Sequence, residues 1–403
     1  MKLHQNLALG IISCLEMILK DKKALKSSLK QLLKTNRNWG SRDRRFIGEA
    51  VLEIIRWKRK FSEMGKLDPK LDRYYWNLLG VWILYKDIPL PDWENFSEIN
   101  KKSINFKLNP KSKSRAIKQS IPDWLDDLGI KSFGKTLWEK EIESLNETAP
   151  LVLRVNIFRT TAEKLQNIFK KKYAIESKKT PEYPYALFLD KHRKLDHLEL
   201  FRKGWFEIQD ANSQRVSVFA APKPGMTVID ACAGAGGKTL HMANIMQNKG
   251  SIIALDPNNK KLEQLKIRIK RNGIRIVTIH NLNNENYEKK YKTNADLVLI
   301  DAPCSGLGVL RRNPAAKWQM NPTNIQKLIY IQQEILQKQS IYVKRGGILV
   351  YSTCSIFPDE NENQIKNFLA TGLGKFFYLE KEETFLTHQS KGDGFYMARL
   401  IKS

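Results

Sequence analysis

From Pro224-Gly225 onward the chain alternates short apolar runs with amphipathic stretches, and few architectures accommodate that pattern. Strands are expected at Met226–Ala231, Ser251–Asp256, Arg275–His280, Ala295–Asp301 and Gly347–Ser352. Helices are expected between them, at about Thr239–Gln247, Asn258–Asn272 and Thr323–Val343. Strand and helix in turn imply an α/β fold, a doubly wound and mainly parallel sheet with helices on both faces. Such sheets bind ligands outside the carboxyl ends of their strands, so the residues there are the first candidates for a site.

Two other textures precede this one. Residues 1–133 read as helical. Leu7, Ile11, Leu15, Ile18 and Leu19 recur at helical spacing, as do Phe46, Ala50, Ile54 and Trp57, and then Trp76, Leu79 and Ile83. Tyr75 and Trp82 flank the last stripe, and that periodicity places these aromatics in a core rather than on a base-stacking surface. Asn100–Gln119 is rich in Lys and Ser without a period, and reads as a basic connection. From about Thr136 the pattern shifts to a strand at Leu151–Asn156, a helix at Thr161–Lys172 and a strand at Ala186–Leu189. Three parts are therefore expected: an all-α domain at 1–133, a small α+β module at 134–222, and the strand–helix domain at 223–403.

Lys and Arg number 69 against 42 Asp and Glu, a net charge of +27. Such an excess attracts polyanions, of which nucleic acid is the commonest. Drift of surface positions to Lys would give the same count, so charge alone is modest support. The four cysteines, Cys14, Cys232, Cys304 and Cys354, form no CxxC pair and are too scattered for a disulfide framework or a structural metal. The amphipathic, Lys-rich start is unlike a signal peptide. No run reaches the roughly 18 apolar residues of a membrane span. A cytoplasmic protein with no metal and no membrane partner is expected.

Three motifs fall at strand ends. The first, Asp230-Ala-Cys-Ala-Gly-Ala-Gly-Gly-Lys-Thr239, follows a strand and opens a helix, with glycine where backbone must approach a ligand. Asp256 ends the next strand, where a carboxylate accepts the two hydroxyls of an adenosine ribose. Gly237-Lys238-Thr239 imitates a phosphate loop, but that motif's first glycine falls on Cys232. A dinucleotide GxGxxG fails as well. S-adenosylmethionine fits this turn better. The second and third motifs, Asp301-Ala-Pro-Cys304-Ser-Gly306 and Tyr351-Ser-Thr-Cys354-Ser355, put two cysteines on one sheet edge. A lone cysteine is more often a small buried hydrophobe. Two in polar turns suit another task. A thiolate that adds to carbon 6 of cytosine makes carbon 5 nucleophilic toward a sulfonium methyl, with an acid such as Asp301 at the ring nitrogen. The residues alone leave open whether Cys304 or Cys354 is the nucleophile.

With these motifs the chain resembles the RsmB/Nop/Sun family of RNA cytosine-5 methyltransferases. The resemblance runs from about Leu151 to the C-terminus through LVLRVN, WFEIQDANSQ, DACAGAGGKT, DAPCSGLG, RRNP..KW, STCS and DGFYMARL. It implies a class I S-adenosylmethionine-dependent methyltransferase fold, Cys354 as nucleophile, Cys304 as the residue that assists release, and Asp301 as the cytosine contact. Lys238 sits where the family has an active-site lysine. The cofactor set then expected is Asp230, Cys232, Ala233, Gly234, Ala235, Gly236, Gly237, Lys238, Asp256, Asn283 and Asp301. Ala235 stands where the family has Pro. Asn281 or Asn283 stands where it often has an acid. Arg311, Arg312 and Lys317 are candidate RNA contacts, Arg312 equally a brace for its loop. Arg154, Gln209 and Asp210 are expected to be structural, within an RNA-recognition-like fold. Trp39–Arg59 resembles, more weakly, a NusB-like RNA-binding domain, which favours 16S rRNA or an early small-subunit particle as partner.

Two rivals remain. One shares the fold but acts on tRNA, on DNA cytosine or on an exocyclic amine, and an amine needs no nucleophile. The other is a non-catalytic RNA-binding assembly factor. The target base must be turned out of its stack, so loop or single-stranded RNA is the expected substrate.

Overall fold

The helical spacing of Leu7, Ile11, Leu15 and Ile18 is realised in helix Gln5–Leu15 and the π-helical turn Glu16–Lys20 that follows it, and all four side chains are buried. Each such side chain contributes about 2 kcal/mol by leaving water. Helix Ser41–Arg56 adds Ile47, Ala50 and Ile54 to the same core, and helix Tyr74–Tyr85 adds Leu78, Leu79 and Trp82. The Trp82 indole donates to a Glu53 carboxylate oxygen at 2.7 Å, and its ring meets Phe46 edge-on at 5.4 Å. These aromatics are core, as their periodicity implied.

The computed structural model describes residues 3–99, 101–102, 104–106, 114–282 and 294–403. The basic connection expected at 100–119 lies partly outside them. The chain divides into two units, not three: Met1–Glu147 with Leu310–Pro322, and Thr148–Val309 with Thr323–Ser403. The expected boundary at 133/134 does coincide with a break, because helix Asp123–Asn146 is interrupted at Gly134, with φ 72° and ψ 166°. Those angles favour a residue without a Cβ. The helix beyond the break nonetheless stays with the first unit and buries Trp138, Ile142 and Leu145.

Residues Leu310–Pro322 also belong to that first unit, which corrects two expected RNA contacts. Lys317 is fully buried; its ammonium donates to the Arg56 carbonyl at 2.8 Å and to Asn146 Oδ1 at 3.1 Å. Burial, with the Arg56 and Lys58 charges nearby, holds it well below its ordinary pKa. Arg311 is buried too, and its carbonyl accepts from the Arg56 guanidinium at 2.8 Å. Trp318 donates to the Ile55 carbonyl at 2.7 Å. Arg312 is half-buried. Basic residues in a loop read as surface charge, but here a helix-end carbonyl and the Asn146 side chain capture the lysine. Lys317→Ala leaves those acceptors without a donor, so it is expected to cost about 3 kcal/mol of stability. The salt dependence of RNA binding is expected to stay unchanged. Thermal unfolding together with RNA titrations at several salt concentrations checks this. A salt slope lowered by about one at unchanged melting temperature would restore a phosphate contact.

In the second unit, strand β1 (Leu151–Val155) is buried along its length because it is covered on both faces. Leu151, Leu153 and Val155 pack with Leu165 and Phe169 of helix Ala162–Tyr173, while Val152 packs with Ala211. Period-two alternation therefore sends Arg154 toward Val152's face. With β2 (Ser177–Lys178), β3 (Ala186–Leu189) and β4 (Phe206–Ile208) it forms an antiparallel sheet of order β2-β3-β1-β4.

The five runs expected as strands form the second sheet: β5 (Thr227–Asp230), β6 (Ser251–Asp256), β7 (Val277–Asn281), β8 (Ala295–Asp301) and β9 (Val343–Thr353). Two strands not expected, β10 (Phe377–Phe385) and β11 (Phe395–Lys402), complete the order β10-β11-β9-β8-β5-β6-β7. Neighbours from β9 to β7 are parallel, and β11 and β10 are antiparallel. Alternate residues fill two cores, Ile229, Ile253, Val298 and Leu349 on one face and Val228, Ile252, Leu297 and Val350 on the other. The strand order reverses between β5 and β8, and the crevice such a reversal opens receives ligands. Asp230, Asp256 and Asp301 all end strands at that edge. Among the described residues no helix is long and apolar enough to cross a membrane.

Candidate functional site

The turn after β5 is shaped by two glycines in the left-handed region, Gly234 at φ 55° and Gly236 at φ 85°. At Gly236 an added Cβ would lie 2.1 Å from Leu265 Cδ1, so this glycine lets helix Asn259–Asn272 pack against the turn. At Gly234 an added Cβ meets nothing within 4 Å, which leaves the backbone open toward the crevice. The Gly234 N–H donates to Asp256 Oδ2 at 2.9 Å, and the Asn258 N–H donates to Oδ1 at 2.8 Å. One carboxylate thus ties the glycine turn to the next helix start. Each of its oxygens keeps a second lone pair for a ligand hydroxyl. Where the family has Pro, Ala235 is steadied by its carbonyl, which accepts from Arg268 at 2.6 Å.

A cavity of about 330 Å³ opens over this turn, and Asp230, Cys232, Ala233, Gly234, Ala235, Gly237, Lys238 and Asp301 all line it. Gln209, Ser213, Lys261 and Arg268 line it as well and were not expected from sequence. They come from the end of β4 and from helices Ala211–Ala220 and Asn259–Asn272, outside the three motifs. Lys238 donates to Asp301 Oδ2 at 2.7 Å, and Ser352 donates to Oδ1 at 3.1 Å. Asp230 is 1% exposed and accepts from Thr239 at 2.6 Å on one oxygen. Burial, with Asp301 nearby, pushes its carboxyl up to about 7. Burial and the same carboxylates push the Cys232 thiol up. A cationic ligand would relieve this crowding of acids. A sulfonium donor with its own ammonium fits the residues present.

The two cysteine turns follow β8 and β9. Their sulfurs, Cys304 Sγ and Cys354 Sγ, lie 3.3 Å apart. Two thiols that close do not readily share two negative charges. The hydrogen bond to Cys354, together with burial and the Glu360 carboxylate, pushes the Cys304 thiol well up. The turns are braced by Glu360 and Asn361, which were not expected from sequence. The signal for them was a carboxylate and an amide just after Pro358, a few residues beyond Cys354.

Arg154 is buried and donates to Gln209 Oε1 and to the Gly237 carbonyl, so it props the opening of helix Gly237–Ile245. Asp210 caps helix Ala211–Ala220 through the Asn212 and Ser213 N–H groups and takes the Asp393 N–H at 3.1 Å. Asn281 donates to the Pro257 carbonyl at 3.2 Å. Asn283, the other candidate at that position, lies outside the described residues. No group of three metal-ligating side chains occurs among the described residues.

Comparison with known proteins follows the same outline. The family model described as 16S rRNA methyltransferase RsmB/F matches residues 217–401, and the RsmF/B-like ferredoxin-like domain matches 121–196. The ribosomal RNA small subunit methyltransferase B of Proteus mirabilis (strain HI4320) is 34% identical over 283 residues, 70% of this chain and 65% of that protein. A probable ribosomal RNA small subunit methyltransferase B of Synechocystis sp. is 34% identical over 303 residues, 70% of this chain and 67% of that protein. The chain thus spans about two thirds of the length of these relatives. The crystal structure of PH0851 superimposes with a TM-score of 0.83 at 25% identity, covering 100% of both chains.

Proposed function

The chain belongs to the RsmB/F family of 16S rRNA methyltransferases, and on that premise we propose that it methylates carbon 5 of a cytosine in small-subunit rRNA through a covalent Cys354 adduct. What carries this reading is the pair of sulfurs 3.3 Å apart at the carboxyl edge of the sheet, one of them on Cys304, three residues past the Asp301 that lines the glycine-turn cavity. Exocyclic amine methylation has no use for such a pair.

S-adenosylmethionine is the methyl donor and supplies an electrophilic methyl on a sulfonium. Asp230, the Gly234 turn and Asp256 would hold it. Cys354 sulfur forms a bond to carbon 6 of the flipped cytosine. The electron pair of the 5,6 double bond shifts toward the ring nitrogen, which takes up a proton from solvent and returns it when the double bond re-forms, while the Asp301 carboxylate, fixed by Lys238 and Ser352, accepts the hydrogen bond of that N–H. Carbon 5 then takes the methyl group, and the C–S pair of the sulfonium stays on the departing thioether. Loss of the carbon-5 proton to a base restores the double bond and returns the carbon–sulfur pair to Cys354. Cys304, still protonated, donates to that departing sulfur and assists release.

The test mixes purified full-length protein, radiolabelled S-adenosylmethionine and unmodified small-subunit rRNA, tRNA or DNA. Label on cytosine of rRNA is the expected result. Label on tRNA instead would move the substrate. Cofactor binding without transfer to any nucleic acid would overturn catalysis and bring forward a ribosome-assembly factor built on the same fold.

A further inference from the structure

Neither the cofactor cavity nor the thiols account for Glu360, a carboxylate that is 0% exposed on the segment after β9. Its Oε1 accepts from the Ser305 N–H at 2.8 Å and from Gln332 Nε2 at 3.1 Å. Its Oε2 accepts from Ser305 Oγ at 2.5 Å and from Ser355 Oγ at 2.6 Å. Ser305 follows Cys304 and Ser355 follows Cys354, so one anion holds the residue next to each sulfur. Asn361 completes the brace: Thr353 Oγ1 donates to its Oδ1 at 2.6 Å, and its Nδ2 donates to the Ser355 carbonyl at 3.1 Å.

Burying a carboxylate is costly even with good donors, and an apolar residue of similar volume commonly packs as well or better. Four donors repay part of that cost. The remaining expense falls at the one place in the second unit where two thiols must be held at a fixed distance. A fixed anion there also disfavours a thiolate on Cys304. The other groups at this edge do not supply that charge. Asp301 and Lys238 are paired with each other at 2.7 Å, helix Pro322–Ser340 contributes the neutral Gln332, and β9 contributes Tyr351, which burial keeps protonated.

We propose that Glu360 is a positioning residue for the cysteine pair: it pins both turns to one anion and keeps the proton on Cys304 for the release step. The proposal rests on the reading of Cys354 and Cys304 given above. It adds an electrostatic role for a residue that touches neither substrate nor cofactor.

The test uses full-length Glu360→Gln and Glu360→Ala, each alone and in a Cys354→Ala background. The rate of iodoacetamide alkylation of Cys304 is followed against pH, with mass spectrometry to assign the site. Glu360→Gln removes the charge and keeps the volume. Removal of an anion favours the thiolate, so the alkylation midpoint is expected to fall by about one pH unit, close to a tenfold faster reaction at a fixed pH below it. With Cys354 intact, kcat is expected to fall at least about tenfold, while S-adenosylhomocysteine binding stays unchanged. An unmoved alkylation midpoint in Glu360→Gln overturns the electrostatic role. Unchanged kcat overturns the positioning role. Glu360→Ala strands four donors, and if it does not fold, Glu360→Gln decides. Should the unaltered protein transfer no methyl group, the functional reading fails, and the alkylation midpoint alone still supports or overturns the electrostatic role of Glu360.

Discussion

Cys354→Ala is expected to abolish methyl transfer, by about ten-thousand-fold or more, and to leave no denaturant-resistant protein–RNA complex. Without a sulfur bond at carbon 6, carbon 5 of cytosine is too weak a nucleophile to take the methyl group, and no other residue at this edge replaces the lost step. Cys304 lies 3.3 Å from the missing sulfur, but burial and the Glu360 carboxylate still push its thiol up when Cys354 is gone. Cys304→Ala is expected to behave oppositely. Cys354 still adds, methylation proceeds, and the adduct accumulates because the departing sulfur has lost its proton donor. Denaturing gels with labelled RNA, run for both variants beside label transfer, separate these outcomes. Adduct in Cys354→Ala would exchange the two roles. Methyl transfer undiminished in Cys354→Ala would remove the covalent route altogether.

The parallel core of the sheet was legible because strands buried on both faces are apolar throughout, as Ser251–Asp256 and Ala295–Asp301 are. β10 was not, because its middle reads Glu380-Lys381-Glu382-Glu383 and it lies at the edge of the sheet with much of its length in solvent. An edge strand needs a buried face only where it meets its one neighbour. Site residues divide the same way. Asp230, the glycine turn, Asp256 and Asp301 are local to strand ends, so sequence order places them together. Gln209, Ser213 and Arg268 reach the same cavity from elsewhere in the fold, and no spacing rule announces that. Lys317 failed for a related reason. A lysine beside a tryptophan in a basic loop has the composition of a nucleic-acid contact, but its partners are a helix-end carbonyl and Asn146, both remote in sequence.

The second large effect falls on the lysine. Lys238→Met is expected to lower kcat by about a hundredfold to a thousandfold, with little change in binding of S-adenosylhomocysteine. The Lys238 side chain is 9% exposed, and its ammonium is 2.7 Å from Asp301 Oδ2. Its removal acts twice. Asp301 loses the cation that fixes its orientation toward the base. Asp230, already pushed up to about 7 by burial, loses a neighbouring charge that had favoured its ionised form. Asp230 then biases toward protonation, and the Asp301 carboxylate at the ring nitrogen no longer sits in one geometry. Asp301→Asn is expected to give a similar loss, and the double variant little more than either single one, since the two groups act as a pair. Single-turnover rates for the four proteins of this cycle are the measurement, with thermal unfolding to separate loss of chemistry from loss of fold. Additive losses would mean that Lys238 and Asp301 serve different steps, and the lysine would then belong to the cofactor alone.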